Sequence, residues 1–161
     1  MNLSKVVLAF GFVVGLASAV AEAQQGNTIN VPISGLHNSN GNVRCGLYNS
    51  AATFPKDGQQ FQGVVAAITN QQATCVFTNV PPGTYAVAAF HAEHGEAVMQ
   101  TGLFGQPKEG YGFSRNATGT FGPPSFGDAA YAYSGGAVTF PITLSYPKAI
   151  EFFGELRPAN C

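Results

Sequence analysis

The sequence predicts an all-β protein: one antiparallel β-sandwich domain behind a cleavable signal peptide. Three observations carry this. Apolar and polar residues alternate with a period of two in several short runs, and Gly, Pro and Asn cluster between those runs. No segment of 12 or more residues holds a helical period. The first residues carry the pattern of an export leader.

In the leader, Lys5 supplies the positive charge, residues 6–17 form an uncharged and mostly apolar run, and both Ala17-Ser18-Ala19 and Ala21-Glu22-Ala23 are small-x-small cleavage sites. The run falls short of the roughly 20 residues that span a bilayer. A signal peptide over residues 1–23 and a single domain over 24–161 are therefore expected, with no transmembrane segment after cleavage. No Cys follows either cleavage site, which argues against a lipid anchor. The remaining length can bury roughly two thirds of the unfolded chain's surface, enough for one core.

Within the mature chain, Ile29, Val31 and Ile33 alternate with Asn30, Pro32 and Ser34, which predicts a strand, and Pro32 predicts an edge position for it. Residues 37–42 form a turn rich in Asn and Gly, and residues 43–48 are the next strand. A loop with room for a short helix follows over 49–60, then a strand over 61–69. Residues 73–78 and 84–91 are strands on either side of a Pro-Pro-Gly turn. Residues 137–146 alternate most clearly, and Pro141 again predicts an edge.

The 161 residues include 7 Lys+Arg and 8 Asp+Glu for a net charge of -1, and charged residues are 9% of the chain. An average soluble domain has about 25%. There is no basic footprint for nucleic acid and no polybasic patch for a membrane surface. The apolar share of 45% is too high for a disordered chain.

Three cysteines remain after the leader: Cys45, Cys75 and Cys161. Cys45 shares an inward face with Val43 and Leu47, and Cys75 shares one with Ala73 and Phe77. Export to an oxidising compartment and these two inward positions favour a Cys45–Cys75 bridge, leaving Cys161 over. No Cys-x-x-Cys spacing supports a metal site.

Residues 102–127 break the strand pattern, with seven Gly, three Pro and the aromatics Phe104, Tyr111, Phe113, Phe121 and Phe126. A loop this long in a small domain is functional or disordered, and so many aromatics argue against disorder. Two roles fit: the loop folds back to cap one open end of the sandwich, or its aromatics line a groove for a ligand or partner.

The stretch Phe77-Thr-Asn-Val-Pro-Pro-Gly-Thr-Tyr-Ala-Val87, followed by Phe90-His91, is similar to an element of transthyretin-like and carboxypeptidase-regulatory-like sandwiches. Together with Gly105-Gln-Pro-Lys-Glu-Gly-Tyr-Gly-Phe-Ser114 and Phe121-Gly-Pro-Pro-Ser-Phe126, it resembles the bacterial exported family called domain of unknown function 2141. The resemblance implies an Ig-like or prealbumin-like sandwich of about seven strands, a secreted or periplasmic location and the bridge between Cys45 and Cys75. It implies no established activity. Members commonly carry an Asp-Glu-Asn-Gly-Asn-Gly run after the position of His91. This chain has Ala92-Glu-His-Gly-Glu-Ala-Val-Met-Gln100 instead, so those hard-cation ligand positions are not kept.

His91, Glu93, His94 and Glu96 are ligand types suited to a zinc-like cation, and His91 and His94 converge if the strand ends in a turn there. The spacing lacks the helix that His-Glu-x-x-His sites use, and a polar loop with chance histidines fits as well. No cofactor is otherwise implied. Catalysis finds no motif. Gly-x-Ser-x-Gly and phosphate-cradling loops are absent, Ser114 and Ser125 have no neighbouring His, and nothing sets Glu109 against Asp128 at the spacing a glycosidase needs. Asn116-Ala-Thr118 matches a glycosylation sequon, which matters only in a eukaryotic secretory pathway. The expectation is a non-catalytic exported sandwich that binds or supports an envelope or extracellular component. Tyr111, Phe113, Phe121 and Phe126 are its candidate ligand-binding residues. Tyr111 and Phe113 are the expected anchors, and truncating both is expected to leave the melting temperature unchanged. A metal-binding protein, or an unrecognised secreted hydrolase, is the alternative.

Overall fold

Alternating side chains can bury only one face of a strand, so strands of this kind must stack in two layers. The computed structural model describes residues 26–103 and 105–147. The signal peptide, Phe104 and Cys161 lie outside the described residues. The strands are β1 (Thr28–Ser34), β2 (Asn42–Tyr48), β3 (Gln62–Ala67), β4 (Ala73–Phe77), β5 (Gly83–Ala92), β6 (Tyr111–Phe113), β7 (Tyr131–Tyr133), β8 (Ala137–Thr139) and β9 (Ile142–Thr143). One 3-10 turn (Ser114–Asn116) and one short helix, α1 (Phe126–Ala129), complete the regular structure of the described residues.

One sheet runs β4-β1-β8, with β9 also paired to β1. The other runs β3-β2-β5-β6, with β7 paired to the start of β5. Ile29, Val31, Ile33, Cys75, Phe77 and Ile142 from the first sheet meet Val43, Cys45, Leu47, Tyr85, Val87 and Ala89 from the second in one buried core. Cys45 on β2 and Cys75 on β4 are bridged across the two layers, with their Cα atoms 6.4 Å apart. Pairing inward cysteines on facing strands follows from the alternation itself.

Two expectations about edges come out differently. β8 and β9 lie at the edge of their sheet, as Pro141 predicts. β1, despite Pro32, is interior: it pairs antiparallel with β4 on one side and parallel with β8 and β9 on the other. The sandwich is thus antiparallel except along this one pairing. Phe140 and Leu144 donate to the carbonyls of Asn30 and Ser34, so the backbone polar groups of Asn30, Pro32 and Ser34 all face β8 and β9. Partners keep the same offset on both sides of the break, from Asn30 opposite Thr139 to Ile33 opposite Ile142, so Pro32 stands across from Pro141. The donor that Pro32 lacks would have served the gap between β8 and β9. The pairing with β4 is untouched. Pro141 turns its own missing donor outward. Two residues on, the outward N–H of Thr143 is taken by Asn116 Oδ1 at 2.8 Å.

The segment 102–127 contains a strand after all. β6 pairs with β5, and Tyr111 and Ser145 exchange both backbone hydrogen bonds at 2.9 Å, joining this edge to the end of the first sheet. Gly112 permits the approach, because a Cβ there would lie 2.7 Å from Ile142 Cγ2 and 2.9 Å from the carbonyl of Thr143. The chain then returns over the outer face of the second sheet, where Phe113 packs with Tyr48, Phe54, Ala86, Ala129 and Ala130 in a second buried cluster. Helix α1 starts at the N-cap Ser125, whose hydroxyl accepts from the N–H of Asp128.

Ser114 ties these parts together. It is fully buried, its hydroxyl accepts from the N–H of Val87 at 2.8 Å and it donates to the carbonyl of Ala129 at 2.6 Å. Ser114→Ala leaves both backbone groups without that partner and is expected to cost about 1–3 kcal/mol in urea unfolding. A loss below about 0.5 kcal/mol would show that the hydroxyl is dispensable.

Candidate functional site

The outer face of the second sheet is read directly from its register. Arg44 stands opposite Val65 on one side and Phe90 on the other, and Phe90 stands opposite Tyr111. The next row along the strands is Gly63, Gly46, Ala88 and Phe113. A row of large side chains thus lies beside a row that is small over three strands. Neighbouring strands sit about 4.8 Å apart, so the small row forms a trough across the sheet. Tyr48 folds over Gly46, where a Cβ would meet its ring at 2.9 Å, and Gln60 leans over Gly63.

Loops raise walls around this floor. Val98, Met99 and Pro107 come from the connection after β5, Thr120, Phe121 and Pro123 from the return after β6, and Pro55 and Asp57 from the loop after β2. The space they enclose is about 900 Å³, the size of a small-molecule site. Three large apolar side chains left exposed on the protein line it: Val65, Val98 and Phe121, the last fully exposed.

Arg44 is the cation in this lining and Asp57 the carboxylate. Arg44 is half-buried, and its Nε is out of contact with water and has no hydrogen-bond partner. Tyr48 donates to the carbonyl of Lys56 at 3.2 Å, and burial, reinforced by the charge of Asp57, pushes its phenol up to about 12. It therefore stays neutral at physiological pH.

The candidate aromatics separate. Tyr111, Phe113 and Phe121 line the groove, whereas Phe126 packs edge-on against Phe54 beneath it. Phe113 is only 6% exposed and belongs to the second core cluster. Truncating it must therefore lower the melting temperature, against the expectation drawn from sequence. The segment packs along the β5 edge and over the outer face of the second sheet rather than over an open end of the sandwich, and part of it borders the groove.

The four candidate metal ligands form two separate pairs, His91 with Glu93 at 3.7 Å and His94 with Glu96, and do not gather as one set. His91 is fully buried and both ring nitrogens are occupied. Nε2 lies 2.8 Å from the carbonyl of Asn40, which can only accept, so Nε2 carries the proton and Nδ1 accepts from the Tyr146 hydroxyl at 2.6 Å. Glu93 is engaged by the Asn38 amide at 3.2 Å. His94 points into solvent and contacts Glu96 at 3.0 Å, where hydrogen bonds from the N–H groups of Glu96 and His94 hold the Glu96 carboxyl below its usual range. Among the described residues, no three His, Cys, Asp or Glu side chains gather as a metal-binding group. The reason is local: β5 runs on past His91 and carries its ring inward, while His94 lies in the turn beyond. Glu109 and Asp128 are likewise engaged apart, by the N–H of Gln100 and by Ser125.

Arg44, Gly46, Gly63 and Ala88 escaped the sequence reading. One signal was available: Gly46, Ala86 and Ala88 occupy outward positions where a solvated strand would place polar groups.

No helix among the described residues is long and apolar enough to cross a membrane. Comparison with curated proteins and with solved structures found no match. A family model described as "Uncharacterized protein conserved in bacteria (DUF2141)" matches residues 31–140, from within β1 to just past β8 and including every strand that builds the groove. With more than half of its length matched, bridge and groove included, the chain belongs to the DUF2141 family of bacterial proteins.

Proposed function

We propose that the protein is an exported, non-catalytic binding module that holds an envelope or extracellular component in the groove on the outer face of its second sheet. The observation that carries this reading is the trough of Gly63, Gly46 and Ala88, rimmed by the exposed apolar side chains Val65, Val98 and Phe121. A soluble domain gains nothing by exposing such side chains around a concavity unless something covers them. The titratable groups lining the groove are Arg44, Tyr48, Asp57 and Tyr111, apart from Cys45, which is in the disulfide. This set contains no nucleophile beside a base, which supports binding over catalysis. The leader pattern supports export, and a purified secreted fraction lacking residues 1–23 by mass spectrometry would establish it.

The groove itself is tested with Nile red, a neutral dye that brightens in apolar sites. Gly63 is exposed, and a Cβ there meets only the flexible Gln60 side chain, so Gly63→Val fits the strand and fills the trough. Saturable dye binding by the wild-type protein, weakened about tenfold in Gly63→Val at an unchanged melting temperature, is the expected result. Absence of saturable binding, or equal binding by both proteins, would overturn the reading.

A further inference from the structure

We infer that the groove takes an amphipathic ligand with a single carboxylate head, that Arg44 is the residue that receives this head, and that the apolar rim holds its tail. The inference rests on the groove reading and goes beyond it by naming the ligand class.

Arg44 carries a permanent charge in the middle of a sheet face. Its neighbours across the strands are Val65 and Phe90, whose side chains offer no acceptor, and two residues back on the same face the buried Oδ1 of Asn42 is likewise without a partner. Its Nε is buried and unpartnered, and no hydrogen bond, ion pair or aromatic ring contact engages its side chain among the described residues. Such isolation is unusual for a buried donor on a cation, because the group has given up water without gaining an acceptor. Asp57 lines the same groove yet lies beyond ion-pair distance of Arg44. The described residues thus leave a cation in this concavity with no carboxylate in ion-pair contact.

The chemistry of the missing partner follows from that of the donor. The two Nη groups of Arg44 have no hydrogen-bond partner among the described residues and, unlike Nε, are not closed off from solvent; that end of a guanidinium presents two parallel N–H groups, which match the two oxygens of a carboxylate. A phosphate monoester, close to doubly charged at neutral pH, would meet one cation, a nearby Asp57 and a protein of net charge -1. With Arg44 and Asp57 already opposed in the lining, a monoanion adds one negative charge and a dianion two, so a singly charged head is the less costly occupant. Beside the head, the lining is apolar, from Ala88 and the Tyr48 ring that lies over Gly46 to the exposed Val65, Val98 and Phe121. The volume of about 900 Å³ accommodates a medium-chain or aromatic acid and exceeds what a bare inorganic anion needs.

The experiment is displacement of bound Nile red from the purified protein, expressed from the full chain, by decanoate, 1-decanol, acetate and decyl phosphate. Decanoate is expected to displace the dye at about tenfold lower concentration than 1-decanol, and acetate not at all. Arg44→Gln should abolish the advantage of decanoate over 1-decanol, with both displacements read relative to that variant's own dye affinity. Arg44→Lys, which keeps the charge without the fork, should retain part of it, and it serves as the test variant if Arg44→Gln does not fold. Equal displacement by decanoate and 1-decanol, or an advantage that survives in Arg44→Gln, would overturn the role of Arg44 while sparing the groove. Stronger displacement by decyl phosphate than by decanoate would overturn the carboxylate assignment. Failure of the dye to bind would remove the groove reading and this inference together.

Discussion

Phe113→Ala is expected to lower the unfolding free energy by about 3–5 kcal/mol. The ring sits 5.7 Å from Phe54 at an edge-on angle, and Tyr48 closes the same cluster, so truncation leaves a cavity that those aromatics cannot fill. Tyr111, two residues earlier on β6, is half-buried. Its backbone makes the bonds to Ser145, and these survive the loss of the side chain. Tyr111→Ala should therefore cost about 1–2 kcal/mol. Urea melts of the two single variants measure the contrast. Equal, small losses would mean that the second cluster is not packed as described. The pair also matters for function, because only Tyr111→Ala can probe the groove without first damaging the scaffold.

Reducing the Cys45–Cys75 bridge is the second large effect. The sequence separation is 30 residues, and on the chain-entropy model cutting a loop of that size removes about 3–4 kcal/mol. The shift corresponds to roughly 10 °C in melting temperature for a domain of this size. Because the two cysteines are 3% and 0% exposed, the double variant Cys45→Ala with Cys75→Ala should lose more than reduction alone, through the space left by two sulfurs. Reduction acts mainly on the unfolded chain and should also raise the denaturant slope. An unchanged midpoint after thiol titration has shown both sulfurs free would sink this account.

Much of the fold was legible because it is local. The period of two in Ile29–Val31–Ile33 or Val43–Cys45–Leu47 belongs to the strand itself, and so does the inward aim of both cysteines. Turns announced by Asn, Gly and Pro are equally local. Pro32 was misleading for the opposite reason. Whether a missing N–H matters depends on which side of the strand it would have pointed to and on what lies there, and that is set by Pro141, far along the chain. β6 was hidden because Tyr-Gly-Phe has too few residues to show a period, and it forms only where β5 offers an edge. His91 read as a ligand because its sequence neighbours are Glu93 and His94, whereas its spatial neighbours are Asn40 and Tyr146.

The all-β class, the position of most strands and the cysteine pair could be read from the chain alone, each being a matter of side-chain period or of residue chemistry within one short stretch. Tertiary structure alone decided that β1 is interior, that Phe113 is core, and that Gly63, Gly46 and Ala88 line up beside an unpaired Arg44. The physical reason is that cross-strand register brings together residues whose separation along the chain carries no periodic signal, so a row of small side chains exists only once three strands are paired.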